Sequence, residues 1–343
     1  MTKILKYILI SFVLVIFICL AVYYFNVNLA VSGTGQDRFF TIAKGESVKQ
    51  ISQNLFEQKL IKSKFYFEIY IWLTKKQAKF LAGEYALKSN MNIKEITDVL
   101  TSGQVVNREK TIKIIEGWKI ADINKYLVSN QYLSDDSFLK LASTKISAWP
   151  FAMPKPDFLN NVPMSANLEG FLFPDTYRIF NDAKAEDVIS KMLDNFGNKH
   201  DENLRAEIKA QNKTIYEIVT LASIVEKEVS QPEDMKIVAG IFLNRLKSNQ
   251  ALESCATLAY VLGVNKTQYT AEDTMVDSLY NTYKYRGLPP GPIANPGLAA
   301  LTAAIYPEST DYNYFLSRPD NGETVFSKTY DEHVQNKTKY LPL

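Results

Sequence analysis

The sequence predicts an α+β protein with a single N-terminal transmembrane helix, a βααβ region of repeated units and a larger mixed α/β domain. Three observations support this prediction: an uncharged apolar run near the N-terminus, a motif that recurs over the next hundred residues, and an amphipathic helix in the second half. The length of 343 residues suggests about two domains. Apolar residues make up 46% and charged residues 22%, the balance of a globular protein with a substantial core.

The first element is the uncharged run from Tyr7 to Phe25. Its 19 residues, at about 1.5 Å each, extend about 28 Å, which is enough to cross a bilayer core. Lys3 and Lys6 precede the run, and the next charged residue is Asp37. The positive-inside rule therefore places the N-terminus in the cytoplasm and the rest of the chain outside.

A cleaved signal peptide is the alternative interpretation of this run. The run is longer than a usual signal-peptide core, and no Ala-x-Ala site follows it, so a retained anchor is favoured. Cys19 follows Ile18 rather than a small residue, which argues against a lipoprotein site.

A strand–turn–helix unit recurs three times in the next hundred residues. Each copy has Gly or Asn at a turn and apolar residues at offsets 3, 6 and 10, which is one face of a helix. A strand-like run precedes each turn, at 39–42, 84–87 and 111–115. The copies themselves are Gly45–Leu55, Asn90–Leu100 and Gly117–Leu127. The first two resemble a LysM-like module, a βααβ peptidoglycan-binding domain, over about 39–105; a common unit built for burial is the alternative.

Composition excludes several functional classes. Lys+Arg 39 against Asp+Glu 37 leaves a formal charge of +2, so a nucleic-acid partner is not expected. Two cysteines, Cys19 and Cys255, and two histidines, His200 and His333, argue against a disulfide framework and against a metal site. No cofactor is predicted. The 20 Tyr and 19 Phe residues suit grooves that hold sugars or peptides.

The helix predicted over Thr214–Glu228 carries a candidate acid. Its apolar stripe continues onto Glu226, whereas Glu228 lies about 160° around the helix and is expected to face solvent or pair with a cation. A carboxyl group on an apolar face near a helix C-terminus has a raised pKa, which suits a general acid. The alternative is that Glu226 reaches the surface or pairs with Lys227 or Arg245. The stripe consists of Ile215, Ile218, Val219, Ala222 and Val225.

A second helix is predicted over Met235–Leu246, after a short break. Ser230 and Glu233 fit a capping box at its start, with Pro232 in the first turn. Two helices joined by so short a break would hold Glu226 in a rigid corner.

Six motifs occur in an order that resembles the endolytic murein transglycosylase (YceG-like) family. The resemblance extends from the anchor to about His333, and it implies a membrane anchor, a LysM-like subdomain and a catalytic domain. The motifs are Leu168–Tyr177, Leu221–Glu228, Phe242–Leu246, Asn281–Tyr283, Gly287–Gly297 and Phe326–Tyr330.

The resemblance implies a lyase that cuts nascent peptidoglycan strands internally at the MurNAc–GlcNAc β-1,4 bond. It leaves 1,6-anhydro-MurNAc ends and would terminate strand elongation at the cytoplasmic (inner) membrane, beside peptidoglycan synthases (penicillin-binding proteins). The family's catalytic glutamate maps onto Glu226. The expected organisation is a cytoplasmic tail at 1–6, an anchor at 7–25, a LysM-like subdomain at 39–105 and a catalytic domain at 106–343, with core motifs at 168–333.

Four further residues are weaker candidates for substrate binding. Glu169 could be a second polar group at the cleft or a structural hydrogen-bonding residue. Asn281 and Tyr283 could line a glycan groove, with Tyr stacking on sugar faces, or could hold a rigid loop. Arg245 could orient Glu226 or close the second helix near its C-terminus.

Two positions depart from the family pattern. Cys255-Ala256 replaces an expected Asp-Pro, and Thr324 stands where the family usually has His. These departures slightly favour an alternative function, a non-catalytic peptidoglycan-binding scaffold anchored near the synthetic machinery, whereas the intact surroundings of Glu226 and the Gly287–Gly291 loop oppose it. A Ser- or metal-dependent hydrolase is not favoured, because the chain has no Gly-x-Ser-x-Gly and no His-Glu-x-x-His.

Overall fold

The chain, as a computed structural model, is described over residues 2–103, 105–106, 109–266 and 268–341, with side chains from residue 5 onwards. Met1 and the Lys3 side chain of the predicted tail, and residues 342–343 at the end of the predicted larger domain, lie outside this description. The chain divides into two compact units, Met1–Arg108 and Glu109–Leu343.

The first unit begins with the long helix α1, Thr2–Asn28. Its segment Leu5–Asn28 is long and apolar enough to cross a membrane, and none of its most apolar window is buried in the protein. The predicted apolar run lies within this helix. Near the helix end, Val27 is only 4% exposed, because it packs into the core of the first unit.

Two strands and three helices complete the first unit. β1 and β2 pair antiparallel, with Asp37 opposite Lys88 and Ile42 opposite Gly83, and the two helices α2 and α3 connect them. Ser47 and Asn92 form capping boxes at the starts of α2 and α4. The strand, turn and helix predicted for the first two copies are therefore confirmed. The elements are β1 Asp37–Ile42, α2 Val48–Glu57, α3 Lys64–Leu73, β2 Gly83–Lys88 and α4 Ile93–Thr101.

The second unit has a larger core with helices on two short antiparallel strand pairs, β3–β4 and β5–β6. Its first elements are β3 Glu109–Lys113, α5 Ile120–Ser129, α6 Ser137–Ala142, β4 Thr176–Phe180, α7 Ala185–Lys199 and α8 Glu202–Ala210. The remaining elements are α9 Ile215–Glu228, α10 Pro232–Lys247, α11 Cys255–Leu262, α12 Ala271–Thr274, α13 Leu298–Ile305, β5 Tyr314–Ser317, β6 Thr324–Ser327 and α14 Tyr330–Tyr340.

The third copy of the repeat belongs to this second unit. Its strand β3 pairs with β4, from Glu109 opposite Phe180 to Lys113 opposite Thr176, and its helix is α5. The strand lies two residues earlier than the predicted 111–115, because pairing with β4 determines where it begins and ends.

Three helices form the framework of the site. α13 packs against both α9 and α10. Thr214 and Glu217 form the predicted capping box at the start of α9. The predicted Ser230–Glu233 box is wrong: Gln231 is the N-cap of α10, because Pro232 occupies the first helical position and the cap directly precedes it.

Candidate active site

Glu226 lies in the last turn of α9, and its carboxylate reaches the start of α13. Its Oε2 accepts a hydrogen bond of 3.0 Å from the backbone N–H of Gly297, which is the N-cap residue of α13. The predicted stripe placed this side chain correctly, because Ala222 and Val225 beside it are fully buried. The carboxyl group is therefore held between two packed helices.

Burial is the main cause of a raised pKa at Glu226, which is about 7. The nearby carboxylate of Glu116 raises the pKa further, whereas the Gly297 N–H and the Lys227 ammonium lower it. The carboxyl group is thus divided between its protonated and ionised forms near neutral pH. A group in that state can both give and accept a proton, which is the requirement for general acid–base catalysis.

The Glu116 side chain packs closely against Gly297. A Cβ built at position 297 would lie 1.9 Å from Oε1 of Glu116, far inside van der Waals contact. The backbone of Gly297 therefore lies between two carboxylates. Glu226 accepts a hydrogen bond from its N–H, and Glu116 packs against its Cα. Glu116 was not predicted from the sequence; the one available signal was its position directly before the turn glycine of the third repeat copy.

Gly117 closes the other side of Glu226. Its φ of +75° lies in the left-handed region that favours glycine. A Cβ there would lie 3.3 Å from Cδ of Lys227 and 3.5 Å from Cγ of Glu226. The ammonium of Lys227 donates a 3.3 Å hydrogen bond to the Gly117 carbonyl, which fixes this cation beside the acid.

Glu169 is buried and joins a hydrogen-bond network rather than lining the cleft. Its carboxylate accepts from the N–H of Ile120 at 3.1 Å and from the side-chain amide of Asn295 at 3.0 Å. Burial, the largest effect, raises its pKa to about 8. Of the two roles considered for Glu169, these contacts match the structural one.

Asn295 is the centre of that network, and it was not among the residues predicted from the sequence. Its Oδ1 accepts from the N–H groups of Gly170 and Leu172, and its Nδ2 also donates to the Trp118 carbonyl. One fully buried amide therefore ties the loop before α13 to the 168–173 segment and to the turn before α5. The only sequence signal was its place inside the motif Gly287–Gly297.

Arg245 does not orient Glu226. Its guanidinium donates to the carbonyl oxygens of Leu252 and Asn313, at 2.5 and 2.8 Å. It therefore joins the end of α10 to the segment before α11 and to the segment before β5. Its charge also lowers the pKa of Glu228.

The expectation that Glu228 faces solvent is wrong. Its carboxylate accepts hydrogen bonds from the Ser254 hydroxyl and, at 3.2 Å, from the Ala256 N–H at the start of α11. Burial raises the pKa of Glu228, and these donors together with Arg245 oppose that rise. The surface opposite the apolar stripe of α9 is covered by α11, which the pattern of a single helix cannot show.

Asn281 and Tyr283 have different roles. Asn281 is fully buried and its amide donates to the carbonyls of Thr274 and Val276, so it holds a loop. Tyr283 lines a cleft, with its hydroxyl 3.2 Å from the Cys255 sulfur. The Asp-to-Cys departure thus places a thiol, whose pKa burial raises, in the wall of this cleft.

The cleft has a volume of about 1250 Å³ and reaches the end of α9 at Lys227 and Glu228, next to Glu226. Arg245 also lines it, whereas Glu226, Glu169 and Asn281 do not. Its walls include cations and tyrosines, among them Lys119, Lys266, Lys337, Tyr260, Tyr314 and Tyr330. Within the described residues, no group of three or more His, Cys, Asp or Glu side chains could hold a metal ion.

The fold and the site define a class of protein: a two-unit α+β protein with a long apolar N-terminal helix and a carboxyl group of near-neutral pKa, Glu226, next to a large cleft. The sequence model of the YceG-like family matches residues 40–339, so the chain belongs to the YceG-like family.

Similar proteins with assigned names support this family membership. An endolytic murein transglycosylase of Bacillus subtilis (strain 168) is 36% identical over 315 residues, 88% of this chain and 84% of that protein. One from Streptococcus pneumoniae serotype 2 is 29% identical over 331 residues, and the match spans 58% of that longer protein. The crystal structure of a YceG-like protein from Listeria monocytogenes is 32% identical with a TM-score of 0.59, covering 89% of this chain and 100% of that chain.

Proposed function

We propose that the protein is a membrane-anchored lytic transglycosylase that cuts peptidoglycan strands internally. The observation that carries this proposal is the environment of Glu226, a carboxyl group of pKa about 7 next to Lys227 and Glu228, which line a large cleft. The names of the Bacillus and Streptococcus relatives support the same activity and substrate. Cleavage of nascent strands at the MurNAc–GlcNAc β-1,4 bond would terminate their elongation.

The proposed reaction uses one carboxyl group twice. Protonated Glu226 gives its proton to the glycosidic oxygen as the bond from C1 of MurNAc breaks. The C6 hydroxyl of the same sugar forms a new bond to C1, and its proton passes to the Glu226 carboxylate. The product has a 1,6-anhydro-MurNAc end, no water is consumed, and the acid returns to its starting state.

The environment of Glu226 suits both halves of this cycle. Burial and Glu116 keep a fraction of the group protonated at neutral pH, so it can act as an acid. The Gly297 N–H and Lys227 stabilise the carboxylate that remains after proton transfer. A pKa near the working pH is the compromise that a group serving as acid and then base requires.

The first unit is proposed to bind glycan strands as a LysM-like module. Its order of strand, two helices and strand supports this interpretation. A polar groove at the turn before α2, lined by Lys44, Ser47, Gln50 and Asn54 among others, offers hydrogen-bonding groups for a sugar.

The proposed location is the inner membrane, with the N-terminus in the cytoplasm. The span Leu5–Asn28 and the basic residues Lys3 and Lys6 support it. Peptidoglycan synthases are the expected neighbours, and affinity capture from detergent-solubilised membranes would identify them.

Substitution Glu226→Gln tests the assignment. It keeps the size of the side chain and an acceptor for the Gly297 N–H, but it removes the transferable proton. We expect a loss of turnover of about 10²–10⁴-fold, measured as release of anhydro-muropeptides from purified peptidoglycan by mass spectrometry.

The matched control is Glu233→Gln, the same change at an exposed position in the first turn of α10. It should leave turnover unchanged. Anhydro products from Glu226→Gln at the wild-type rate would refute the assignment. Binding to peptidoglycan without cleavage by the wild-type chain would instead favour the scaffold function.

A further inference from the structure

The helix α3 has apolar side chains on two opposite sides. Phe67 and Ile71 are fully buried in the core of the first unit. Phe65, Trp72 and Leu73 are instead 64%, 69% and 53% exposed. A helix that faces water normally has polar residues opposite its core side, so this exposed apolar face indicates a binding surface.

Helix geometry places the exposed face almost opposite the core. At about 100° per residue, the arc that contains Phe65, Trp72 and Leu73 is centred about 160° from the midpoint of Phe67 and Ile71. The face therefore points away from the first unit.

The membrane-length helix α1 contacts α3 on a third side. The rings of Tyr23 in α1 and Tyr66 in α3 are 6.4 Å apart, and Tyr66 also contacts Phe65. Tyr23 belongs to the apolar segment that ends at Asn28, about 8 Å further along the helix. The start of α3 therefore lies at the depth of the last turns of the span, where a bilayer meets water.

The charges around α3 fit a lipid surface. Between residues 59 and 79 the chain has six lysines and one acidic residue, Glu68. One of the six, Lys76, pairs with Asp98 of α4 at 2.6 Å. Glu68 is turned inward, since its carboxylate accepts a hydrogen bond from Ser52. Aromatic side chains flanked by cations are typical of segments that bind the interface of anionic membranes. The lysines are Lys59, Lys62, Lys64, Lys75, Lys76 and Lys79.

We propose that the outer face of α3, formed by Phe65, Trp72 and Leu73, inserts into the headgroup region of the outer leaflet beside the anchor. The proposal rests on the proposed membrane anchoring. The first unit is then held against the bilayer by two contacts, the span and this face, rather than moving freely on the end of α1.

Quenching of tryptophan fluorescence by brominated lipids tests this contact. The full-length chain is reconstituted into vesicles of phosphatidylethanolamine and phosphatidylglycerol, with and without bromine on the acyl chains, and is compared with Trp72→Phe. We expect bromine to quench the wild-type emission and most of the quenched fraction to be lost in Trp72→Phe. Trp118 and Trp149, in the second unit, contribute equally to both proteins.

A reporter at Phe65 supplies the second arm. Phe65→Trp in the Trp72→Phe background should restore quenching, because both positions belong to the same face. Flotation of the vesicles at alkaline pH tests the anchor separately, and a chain that fails to float refutes the anchoring itself. A chain that floats but shows no quenching specific to a tryptophan at position 72 or position 65 overturns the proposal. That result is expected if a protein partner or a second copy covers this face instead of lipid.

Discussion

At the scale of single residues, the chemistry depends on how burial and three neighbouring groups set the pKa of Glu226. Burial and Glu116 raise it, and Gly297 and Lys227 lower it, with a result of about 7. Glu116 is exposed on its own side, but its carboxylate packs on Gly297, the residue that binds Glu226. Glu116 is thus a positioning residue that acts through charge.

Substitution Glu116→Gln should lower the pKa of Glu226, because it removes the nearest negative charge. The protonated acid is then lost at a lower pH, so the alkaline limb of the pH profile of kcat/KM should shift to lower pH. Activity at acid pH should stay close to that of the wild type. The measurement is anhydro-muropeptide release between about pH 5 and 9, a window centred on the near-neutral operating pH of a tuned acid.

Glu202→Gln is the control, since Glu202 is exposed in the first turn of α8 and its loss should leave the profile in place. If Glu116→Gln lowered activity equally at every pH, Glu116 would have a structural role and not an electrostatic one.

Helix periodicity placed Glu226 on the buried side of α9 but could not predict its partners. The assignment of Glu226 as the acid came from the family resemblance. The period itself only places a side chain on a face of its own helix. It failed for Glu228, because α11 covers the face that the pattern left open. It could not reveal Asn295, whose partner Gly170 is 125 positions away in the chain and is brought near only by the complete fold.

At the scale of elements, the hydrogen bonds of Glu169 and Asn295 join three chain segments near the site. These are the turn before α5, the 168–173 segment and the loop before α13. Gly170, with φ of +89°, lets the 168–173 segment pack against Pro292, where a Cβ would lie 2.6 Å from the proline ring. The motifs Leu168–Tyr177 and Gly287–Gly297 therefore pack against each other. This contact also affects Glu226, because Gly297, whose N–H binds the Glu226 carboxylate, is the last residue of the second motif.

Glu169 should make the stability of the second unit depend on pH. Its pKa is about 8 in the folded chain, against an ordinary value of 4.5. The stability that the protonated group contributes is complete below pH 4.5 and is lost as the pH rises through about 8. The free energy of unfolding should fall by up to about 1.4 kcal/mol per pH unit in this window.

In Glu169→Gln this contribution to the pH dependence should be absent, since the amide does not titrate and still offers an oxygen to Ile120 and Asn295. Denaturant unfolding at pH 5 and pH 8, followed by tryptophan fluorescence, measures the difference, with Glu233→Gln as the control. Parallel pH profiles for wild type and Glu169→Gln would show that Glu169 is ionised in the folded state.

The elements themselves were largely predictable because their local signals are strong. The capping box at Thr214 and the three strand–turn–helix copies are confirmed. The errors lie where two local signals compete, or where pairing with another strand determines where a strand begins and ends. Pro232 determined the start of α10 over the Ser230 signal, and β4 determined the ends of β3.

At the scale of the whole molecule, the chain combines an apolar helix, a small βααβ unit and a larger unit that contains the candidate site. The first apolar run was predictable from composition alone, since a span needs only length and hydropathy. The copies themselves did not show that the repeat divides between two units, because they are alike in sequence and differ only in their strand partners. The expected boundary at 105/106 came instead from the LysM-like resemblance of the first two copies. β1 pairs with β2, whereas β3 pairs with β4.

The central claim is that Glu226 directs the muramic acid's own C6 hydroxyl, and not water, to C1. Digestion of purified peptidoglycan by the full-length chain in ¹⁸O-labelled water, with mass spectrometry of the products, tests this most directly. The account predicts 1,6-anhydro ends that contain no ¹⁸O, and no cleavage by Glu226→Gln. Newly formed reducing MurNAc ends in place of the anhydro ends would show that water is the nucleophile and would contradict it.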